Sequence, residues 1–313
     1  MKPLRIGTRG SALALWQANR VRDALEKSCG VASEIVVIKT SGDHHADASL
    51  EQMGIQGVFT KELEEALFSD RTDIAVHSMK DVPTEFSDVC RILPVFRRDD
   101  PRDALISRHG ETLTALPRGA RIATSSLRRA SQLRAVRPDF KVVEMRGNVD
   151  TRLRKLDSGE CDAVVLAKAG LDRLGFSARV TEVLSPERML PAVGQGVLCI
   201  EYFEPSEDNL KFLDRLVDRE TMLAVRAERA LLAKMQGGCR LPLGAWARFE
   251  GAKLTLDACV LSADGSESVR RCDADTCESA CDAKNLGDHV AAQLLDAGAD
   301  RLLRLAGRSV GRQ

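Results

Sequence analysis

Aromatic residues are scarce in this 313-residue sequence: they make up 4% of the chain, with one tyrosine and two tryptophans. This scarcity weakens a nucleic-acid-binding interpretation, because single-stranded nucleic acids stack their bases on aromatic rings. Long apolar runs are also missing, and none approaches the length of a membrane span. The N-terminus carries Lys2, Arg5 and Arg9 without the apolar core of a signal peptide. We therefore predict a cytoplasmic protein with no membrane partner.

Several motifs of well-known enzyme classes are missing as well. The sequence contains no phosphate-binding loop of the G-x-x-x-x-G-K-[ST] type and no visible Ser/His/Asp signature. Gly194-Gln195-Gly196 begins like a dinucleotide-binding fingerprint but lacks the third glycine and the following helix. We predict no NAD cofactor.

The cysteines do not form a disulfide framework, because nine of them are scattered over a long chain. They are Cys29, Cys90, Cys161, Cys199, Cys239, Cys259, Cys272, Cys277 and Cys281. The last three lie close together, but their spacing matches no familiar zinc pattern. His44 and His45 are adjacent in a polar loop and would point in different directions. We predict no metal site.

An excess of one charge sign occurs only locally. The whole chain has 46 basic and 46 acidic residues, yet the segment 121–155 holds ten Lys/Arg against three acids, a local excess of seven. Such an excess favours an anionic partner. A solvated basic face and a nucleic-acid surface are the alternatives.

Alternation of short apolar runs with helical patterns predicts an α/β protein with parallel-type sheets. We predict two doubly wound α/β domains, the first formed by residues 1–98 with 194–216 and the second by residues 99–193. A charged connection, residues 97–104, links them. From residue 217 to 313 the pattern predicts a C-terminal α+β domain.

Polar residues follow the predicted strands at residues 8–11, 77–81, 124–129 and 146–148. In doubly wound sheets, ligands bind beyond the carboxyl ends of the strands. We expect the two α/β domains to present these segments across a cleft, with Cys239 contributed by the C-terminal domain.

Two of these segments predict an anion site. TSSLRR (124–129) combines hydroxyls and free amides at a helix start with two arginines in the first turn. Arginines in the first turn oppose the helix dipole, so helix stability alone does not favour them. Arginine does bind a carboxylate or phosphate well, through two parallel hydrogen bonds. In MRGN-x3-R, Arg146 follows a strand and Arg152 lies one helical turn into the next element.

Two further segments stay ambiguous at the level of residues. Cys239 lies in GGCRLPLG (237–244), where glycine and proline predict a loop after a helix. The adjacent arginine favours the thiolate form of Cys239, whereas the carbonyl end of the helix disfavours it. Both an unreactive and a reactive thiol are therefore compatible with this segment. In HSMKDVP (77–83), Lys80 and Asp81 close a strand, either as site residues or as a plain turn.

Eight segments together resemble the porphobilinogen deaminase (hydroxymethylbilane synthase) family. They occur in the family's order over essentially the whole chain: RIGTRGSALALWQA, GVFTKELEEAL, DIAVHSMKDVP, DPRDALIS, TSSLRR, RGNVDTRL, LPAVGQG and GGCRLPLG. The resemblance implies two α/β domains similar to the periplasmic-binding-protein architecture. It implies a transferase that joins four porphobilinogen molecules head to tail, releasing ammonia, to give hydroxymethylbilane. It also implies a monomer with one dipyrromethane cofactor bound to Cys239 by a thioether.

The resemblance assigns roles to individual residues. Loss of ammonia from the substrate leaves an azafulvene cation, which a carboxylate at the pyrrole N–H can stabilise. Asp81 matches the family's catalytic aspartate, and Lys80 would help to keep it ionised. The implied cofactor-binding residues besides Cys239 are Lys80, Asp81, Thr124, Ser126, Arg128, Arg129, Arg146 and Gly147. The implied substrate-binding residues are Arg9, Ser11, Gln17, Arg152, Arg173 and Gln195.

The chain departs from the family pattern at three positions. Gln56 stands where a lysine is expected, which removes a cation from its loop, and Ala12 and Ala123 replace a proline and a glycine. Two other classes of protein are alternatives to a deaminase: a non-catalytic anion-binding protein and a nucleic-acid-binding protein. Neither would need Asp81 or a tethered cysteine, so the intact-protein mass separates them from the deaminase.

Overall fold

A computed structural model describes most of the chain: residues 2–39, 61–84, 89–203, 206–235 and 241–310. The chain divides into two compact units. One comprises Met1–Asp99 with Val197–Met222, and the other Asp100–Gly196 with Leu223–Gln313. No helix within the described ranges combines the length and the apolar character that crossing a bilayer requires.

The helices that follow are numbered in chain order. They are α1 Ala12–Ala24, α2 Lys61–Phe68, α3 Leu127–Val136, α4 Val149–Asp157, α5 Lys168–Arg173, α6 Glu207–Leu210, α7 Arg219–Lys234, α8 Ala280–Asp296 and α9 Ala299–Val310. A π-helical turn, Leu25–Cys29, extends α1.

The first unit is built on a five-stranded sheet in the order β2-β1-β3-β10-β4. Its strands are β1 Leu4–Thr8, β2 Ser33–Val37, β3 Ile74–Ser78, β4 Cys90–Val95 and β10 Leu198–Phe203. Strand β1 runs parallel to β2 and β3, whereas β10 runs antiparallel to β3 and β4. Through β10, the chain returns to the first sheet after the segment 190–196. The core packs α1, through Ala18 and Val21, against Ile6, Ile74 and Ile200.

The second unit contains two sheets. Its α/β sheet has the order β7-β6-β8-β5-β9, and its C-terminal sheet the order β11-β12-β13. The strands are β5 Asp103–Ser107, β6 Arg121–Ala123, β7 Lys141–Val143, β8 Ala163–Ala167, β9 Glu182–Val183, β11 Leu243–Glu250, β12 Lys253–Leu261 and β13 Ser268–Thr276. Strand β6 runs parallel to β7 and β8, whereas β5 runs antiparallel to β8 and β9. The C-terminal sheet is antiparallel, and α8 and α9 pack against it.

These sheets confirm the predicted fold class of α/β sheets followed by an α+β region, although each α/β sheet is mixed rather than purely parallel. The expected charged connection 97–104 is wrong at its end. Asp103 and Ala104 begin β5 and are fully buried. The predicted loop GGCRLPLG also ends earlier than expected, because β11 begins at Leu243. The three-domain boundaries stay a prediction.

Candidate functional site

The parallel strands of the second unit place their carboxyl ends along one edge of its α/β sheet. Strands β6, β7 and β8 are neighbours in register, with Ile122 beside both Val142 and Ala163. The segment 124–129 follows β6, and Arg146 follows β7 closely. These two segments therefore lie at the same edge of this sheet.

The start of α3 is capped by hydroxyl side chains. Ser126 is the N-cap residue, and its Oγ accepts a hydrogen bond from the backbone N–H of Arg129 at 3.5 Å. Thr124, which is buried, accepts one from the Ser126 backbone at 3.2 Å through Oγ1. These contacts satisfy orphan donors of the first helical turn. The two hydroxyl groups predicted at the site thus have structural partners.

The two arginines of the first turn share one buried carboxylate, Asp103. Arg128 Nη1 lies 2.7 Å from Asp103 Oδ2, and Arg129 Nη2 lies 2.7 Å from Oδ1. Gln195 donates to the same Oδ1 at 2.9 Å. Burial disfavours the carboxylate, but the two guanidinium groups outweigh it and hold the pKa of Asp103 well below its usual range. Three predicted site residues therefore meet at an acid that sequence reasoning did not select.

The other donors of this cluster bind main-chain carbonyl groups. Arg128 Nη1 also donates to Leu190 O at 2.6 Å, and Arg129 Nη1 to Val165 O at 3.1 Å. Arg173 is buried and donates to Gly196 O at 2.8 Å. These bonds fix the guanidinium planes within the second unit.

Arg152 is the least compensated cation of this edge. Its Nε donates to Gly147 O at 2.8 Å and its Nη2 to Ser125 Oγ at 3.2 Å, both uncharged acceptors. Among the residues that the structure describes, no carboxylate lies within ion-pair distance of its guanidinium. Burial, reinforced by the positive charge of Arg129, lowers the pKa of Arg152 to about 10. A partly desolvated cation with neutral partners is the setting in which an anionic ligand binds most favourably.

The turn before α4 depends on a glycine. Gly147 has φ of +114°, and a Cβ there would lie 2.7 Å from Thr151 Cγ2. Its carbonyl oxygen is thereby turned to accept from Arg152. Arg146, which precedes Gly147 in the chain, forms an ion pair with the exposed Glu144 at 2.7 Å. Of the predicted basic residues, Arg146 is therefore paired with an acid at the surface.

The first unit holds the remaining described site residues. Strands β1 and β3 are parallel neighbours, so the segments that follow them lie at one edge. Ser11 caps α1 by accepting from the Ala14 backbone at 3.3 Å, and the buried Gln17 donates to Ser78 Oγ at 2.8 Å. These two predicted ligand-binding residues have local structural partners.

The segment after β3 carries the predicted catalytic residue. Lys80 and Asp81 form a short 3₁₀ turn with Met79, and the Met79 backbone N–H donates to Val197 O at 3.0 Å. Asp81 is exposed, whereas Lys80 and Arg9 are partly buried. The arrangement leaves the Asp81 carboxylate accessible to a ligand.

Some predicted residues lie outside the described ranges. They are Cys239, Gln56, His44 and His45. Within the described ranges, no group of three or more His, Cys, Asp or Glu side chains is arranged to hold a metal ion. Cys272 and Cys281 are exposed and Cys277 is buried.

Sequence reasoning missed two buried residues of this region, Asp103 and Gln132. Asp103 falls in the predicted charged connection, although the apolar run that follows it is typical of a buried strand. Gln132 lies one turn after Arg128 on α3 and bonds to both backbone groups of Leu190. No local pattern distinguishes it from a solvated glutamine.

Two family models match the chain. "Porphobilinogen deaminase, dipyromethane cofactor binding domain" matches residues 4–211, and "Porphobilinogen deaminase, C-terminal domain" matches residues 222–296. A curated porphobilinogen deaminase of Geobacter metallireducens is 50% identical over 96% of this chain and 94% of its own length. That of Syntrophobacter fumaroxidans is 45% identical over 96% of both chains.

Solved structures of low identity also align with the chain. The periplasmic VFT2 domain of Bordetella pertussis BvgS aligns at 15% identity and a TM-score of 0.43, covering 71% of this chain and 91% of that one. A putative periplasmic sulfonate-binding protein of Methylobacillus flagellatus aligns at 14% identity and a TM-score of 0.40, covering 73% and 67%.

Proposed function

The chain belongs to the porphobilinogen deaminase family, and we propose that it joins four porphobilinogen molecules head to tail with release of ammonia. The product is the linear tetrapyrrole hydroxymethylbilane, a precursor in heme biosynthesis. The substrate is an aminomethyl pyrrole with two carboxylate side chains. Binding it and a growing chain of such units therefore calls for several fixed cations.

The observation that carries this proposal is the state of Arg152. Its guanidinium is partly desolvated, has only neutral acceptors among the described residues and lies close enough to Arg129 to be repelled by it. A ligand carboxylate would offset both the desolvation of Arg152 and its repulsion by Arg129. Charge-assisted hydrogen bonds of this kind contribute about 1.5–3 kcal/mol. The donors fit a polycarboxylate better than an uncharged ligand.

A dipyrromethane cofactor on Cys239 completes the proposal. When bound, the cofactor supplies the pyrrole carbon from which the product chain grows. The cofactor would be held by the predicted binding set Lys80, Asp81, Thr124, Ser126, Arg128, Arg129, Arg146 and Gly147, in which the basic and hydroxyl side chains would bind its carboxylates and Asp81 its pyrrole N–H groups. The family model named for this cofactor covers all of these residues, while the thioether itself rests on the motif around Cys239.

Asp81 is the proposed catalytic residue. Its carboxylate is exposed at the end of β3 and can approach a pyrrole N–H. There it would stabilise positive charge that develops as ammonia leaves, and hold or transfer a proton. Incoming substrate would be bound by Arg9, Ser11, Gln17, Arg152, Arg173 and Gln195. A cytoplasmic location and a monomeric state stay predictions.

The mass of the intact protein tests the proposal. Purified wild-type protein should carry an adduct of two pyrrole rings, located on Cys239 by peptide mapping. Cys239→Ala should lack both the added mass and ammonia release, while Cys281→Ala, an exposed cysteine elsewhere, should keep both. Fully active protein without an adduct would contradict the proposal, and a non-catalytic anion binder would show neither adduct nor ammonia.

A further inference from the structure

Leu190, the first residue of the segment LPAVGQG (190–196), is held by hydrogen bonds from helix α3 to both of its backbone groups. Leu190 N–H donates to Gln132 Oε1 at 2.7 Å, and Gln132 Nε2 donates to Leu190 O at 3.1 Å. Arg128 Nη1 donates to the same carbonyl oxygen at 2.6 Å. Gln132 is 5% exposed and Leu190 fully buried, so these bonds are shielded from water. Helix α3 is therefore bound to Leu190 by two side chains, one of them a proposed cofactor-binding arginine.

The C-terminal sheet contacts Leu190 and the next residue, Pro191. Ala245 N–H of β11 donates to Pro191 O at 2.9 Å. Leu190 packs with Cys259, Leu261 and Trp246 of this sheet. Strand β11 and α3 thus bind neighbouring residues of one short segment.

Gly244 shows how close this contact is. A Cβ at Gly244 would lie 2.7 Å from Leu190 Cβ and 2.9 Å from Leu190 O. No real Cβ approaches other atoms so closely, so any larger residue would displace β11 from the segment. The glycine that ends the GGCRLPLG stretch is required here for packing.

Two buried acids hold the rest of the segment. Glu228 of α7 is fully buried and accepts from Gly194 N at 2.7 Å and from Ala247 N of β11 at 2.8 Å. Asp103 accepts from Gln195 at 2.9 Å. Helix α7, which ends at Lys234, and strand β11, which begins at Leu243, are therefore both anchored to this segment.

We propose that Gln132 is a positioning residue for the reaction. Through the main chain of Leu190, whose carbonyl oxygen also accepts from Arg128, it fixes the guanidinium group of Arg128 relative to Leu190 and the adjoining strand β11. The inference rests on the proposed function, in which Arg128 binds carboxylates of the cofactor. In this scheme Gln132 contacts neither the cofactor nor the substrate, and it acts through Leu190 and Arg128.

Gln132→Met tests this role, because methionine is similar in length and unbranched but makes neither hydrogen bond to Leu190. In cofactor-loaded enzyme, kcat for ammonia release should fall by about 10- to 100-fold, since a misplacement of about 1 Å can cost that much. KM for porphobilinogen should change by less than about twofold, because no proposed substrate-binding side chain is altered. Rates are compared at a temperature where thermal unfolding shows both proteins fully folded.

The matched control is Gln293→Met. Gln293 also lies on a helix and donates across to the C-terminal sheet, at 3.1 Å to Asp273 Oδ2, and its side chain also pairs with His289 of the same helix. Its kcat should equal that of the wild type even if its melting temperature falls. An unchanged kcat in loaded Gln132→Met would overturn the positioning role. A wild type without adduct or ammonia release would contradict the proposed function instead.

Two further variants keep the inference testable if Gln132→Met fails to fold. Gln132→Glu retains an acceptor for Leu190 N–H but sets an oxygen against Leu190 O, so kcat should fall by a smaller factor, about three- to tenfold. Gly244→Ala disturbs the same contact from the opposite side and should lower kcat in the same way. The double variant Gln132→Glu/Gly244→Ala should lose less than the product of the two effects, because both act through Leu190. Multiplicative losses would contradict a shared route.

Discussion

Arg152 shows at the scale of one residue how neutral partners can mark a side chain that binds an anion. Its two side-chain hydrogen bonds go to Gly147 O and Ser125 Oγ, and neither balances its charge. The neighbouring Arg154, on the same helix α4, is exposed, and its side chain donates to Thr151 Oγ1 at 3.2 Å. The two arginines therefore differ in how much they would gain from an anion.

Arg152→Leu should impair carboxylate binding while Arg154→Leu does not. Loss of one charge-assisted contact of about 1.5–3 kcal/mol corresponds to a roughly 10- to 100-fold rise in KM for porphobilinogen or a comparable loss in cofactor assembly. Steady-state kinetics and intact mass measure the two effects. Equal KM values for both variants would exclude Arg152 from the ligand site.

Asp81 is the second residue whose role can be isolated. Asp81→Asn keeps the size of an exposed side chain and removes its charge, so the fold should survive. Ammonia release by cofactor-loaded enzyme should fall by about 10²–10⁴ if charge stabilisation and proton transfer dominate. Asp81→Glu should recover part of the rate. A loaded Asp81→Asn enzyme within about threefold of wild type would exclude this carboxylate as the main catalytic group.

At the scale of elements, the pairing of β5 with α3 explains an arrangement that local rules disfavour. Arg128 and Arg129 lie in the first turn of α3, where a cation opposes the helix dipole. Asp103, the first residue of β5, supplies the compensating charge within 2.7 Å of each guanidinium group. The arginines are thereby fixed in place before any ligand binds.

Asp103→Asn should destabilise the protein by about 3–5 kcal/mol, because it leaves two buried guanidinium groups without their acid. The wild-type pKa of Asp103 is lowered, so its stabilising contribution is present above the unfolded-state value of about 3.9 and is lost as pH falls below it. Denaturant unfolding at pH 7 and near pH 3 should therefore show a weaker pH dependence in the variant.

The matched control for this prediction is Asp257→Asn. Asp257 pairs with the partly exposed Arg270 at 2.6 Å in the C-terminal sheet. Its loss should destabilise the protein less, since solvent screens the arginine that remains. Comparable losses in the two variants would show that burial of the Asp103 cluster adds nothing.

At the scale of the whole molecule, the thiols separate into buried and exposed groups. Burial raises the pKa of Cys90 to about 12 and the pKa values of Cys161 and Cys259 to about 11. Cys272 and Cys281 lie exposed on the C-terminal region. Because the thiolate is the reactive form, the buried group should be inert.

Alkylation of the native holoenzyme near pH 8 should therefore modify Cys272 and Cys281 and spare Cys90, Cys161 and Cys259. Cys239 should stay unmodified while it carries the cofactor and become reactive in protein prepared without it. Peptide mass mapping over time measures each site. Rapid modification of Cys161 or Cys259 would contradict the buried packing, and alkylation of Cys239 in adduct-bearing protein would contradict the thioether.

The local elements and the family resemblance follow from the amino-acid sequence alone. Short apolar runs predict β1, β3 and β8, most of whose residues are buried, and helical spacing predicts α3 and α4, which bury Leu133 and Leu153 among others. The eight family segments predicted the reaction, the cofactor and the candidate residues. Such signals are local or motif-based, so they need no knowledge of packing.

Which polar side chains meet depends on the packing of elements that are distant in sequence. Asp103 pairs with arginines 25 and 26 residues away, and Gln132 bonds to Leu190 58 residues away. Each of these residues looks like an ordinary solvated side chain in its own segment. Their burial follows from how β5, α3 and the C-terminal sheet pack around the segment 190–196. A buried polar group must find a partner wherever packing places it, and the pattern of one segment contains no information about that partner.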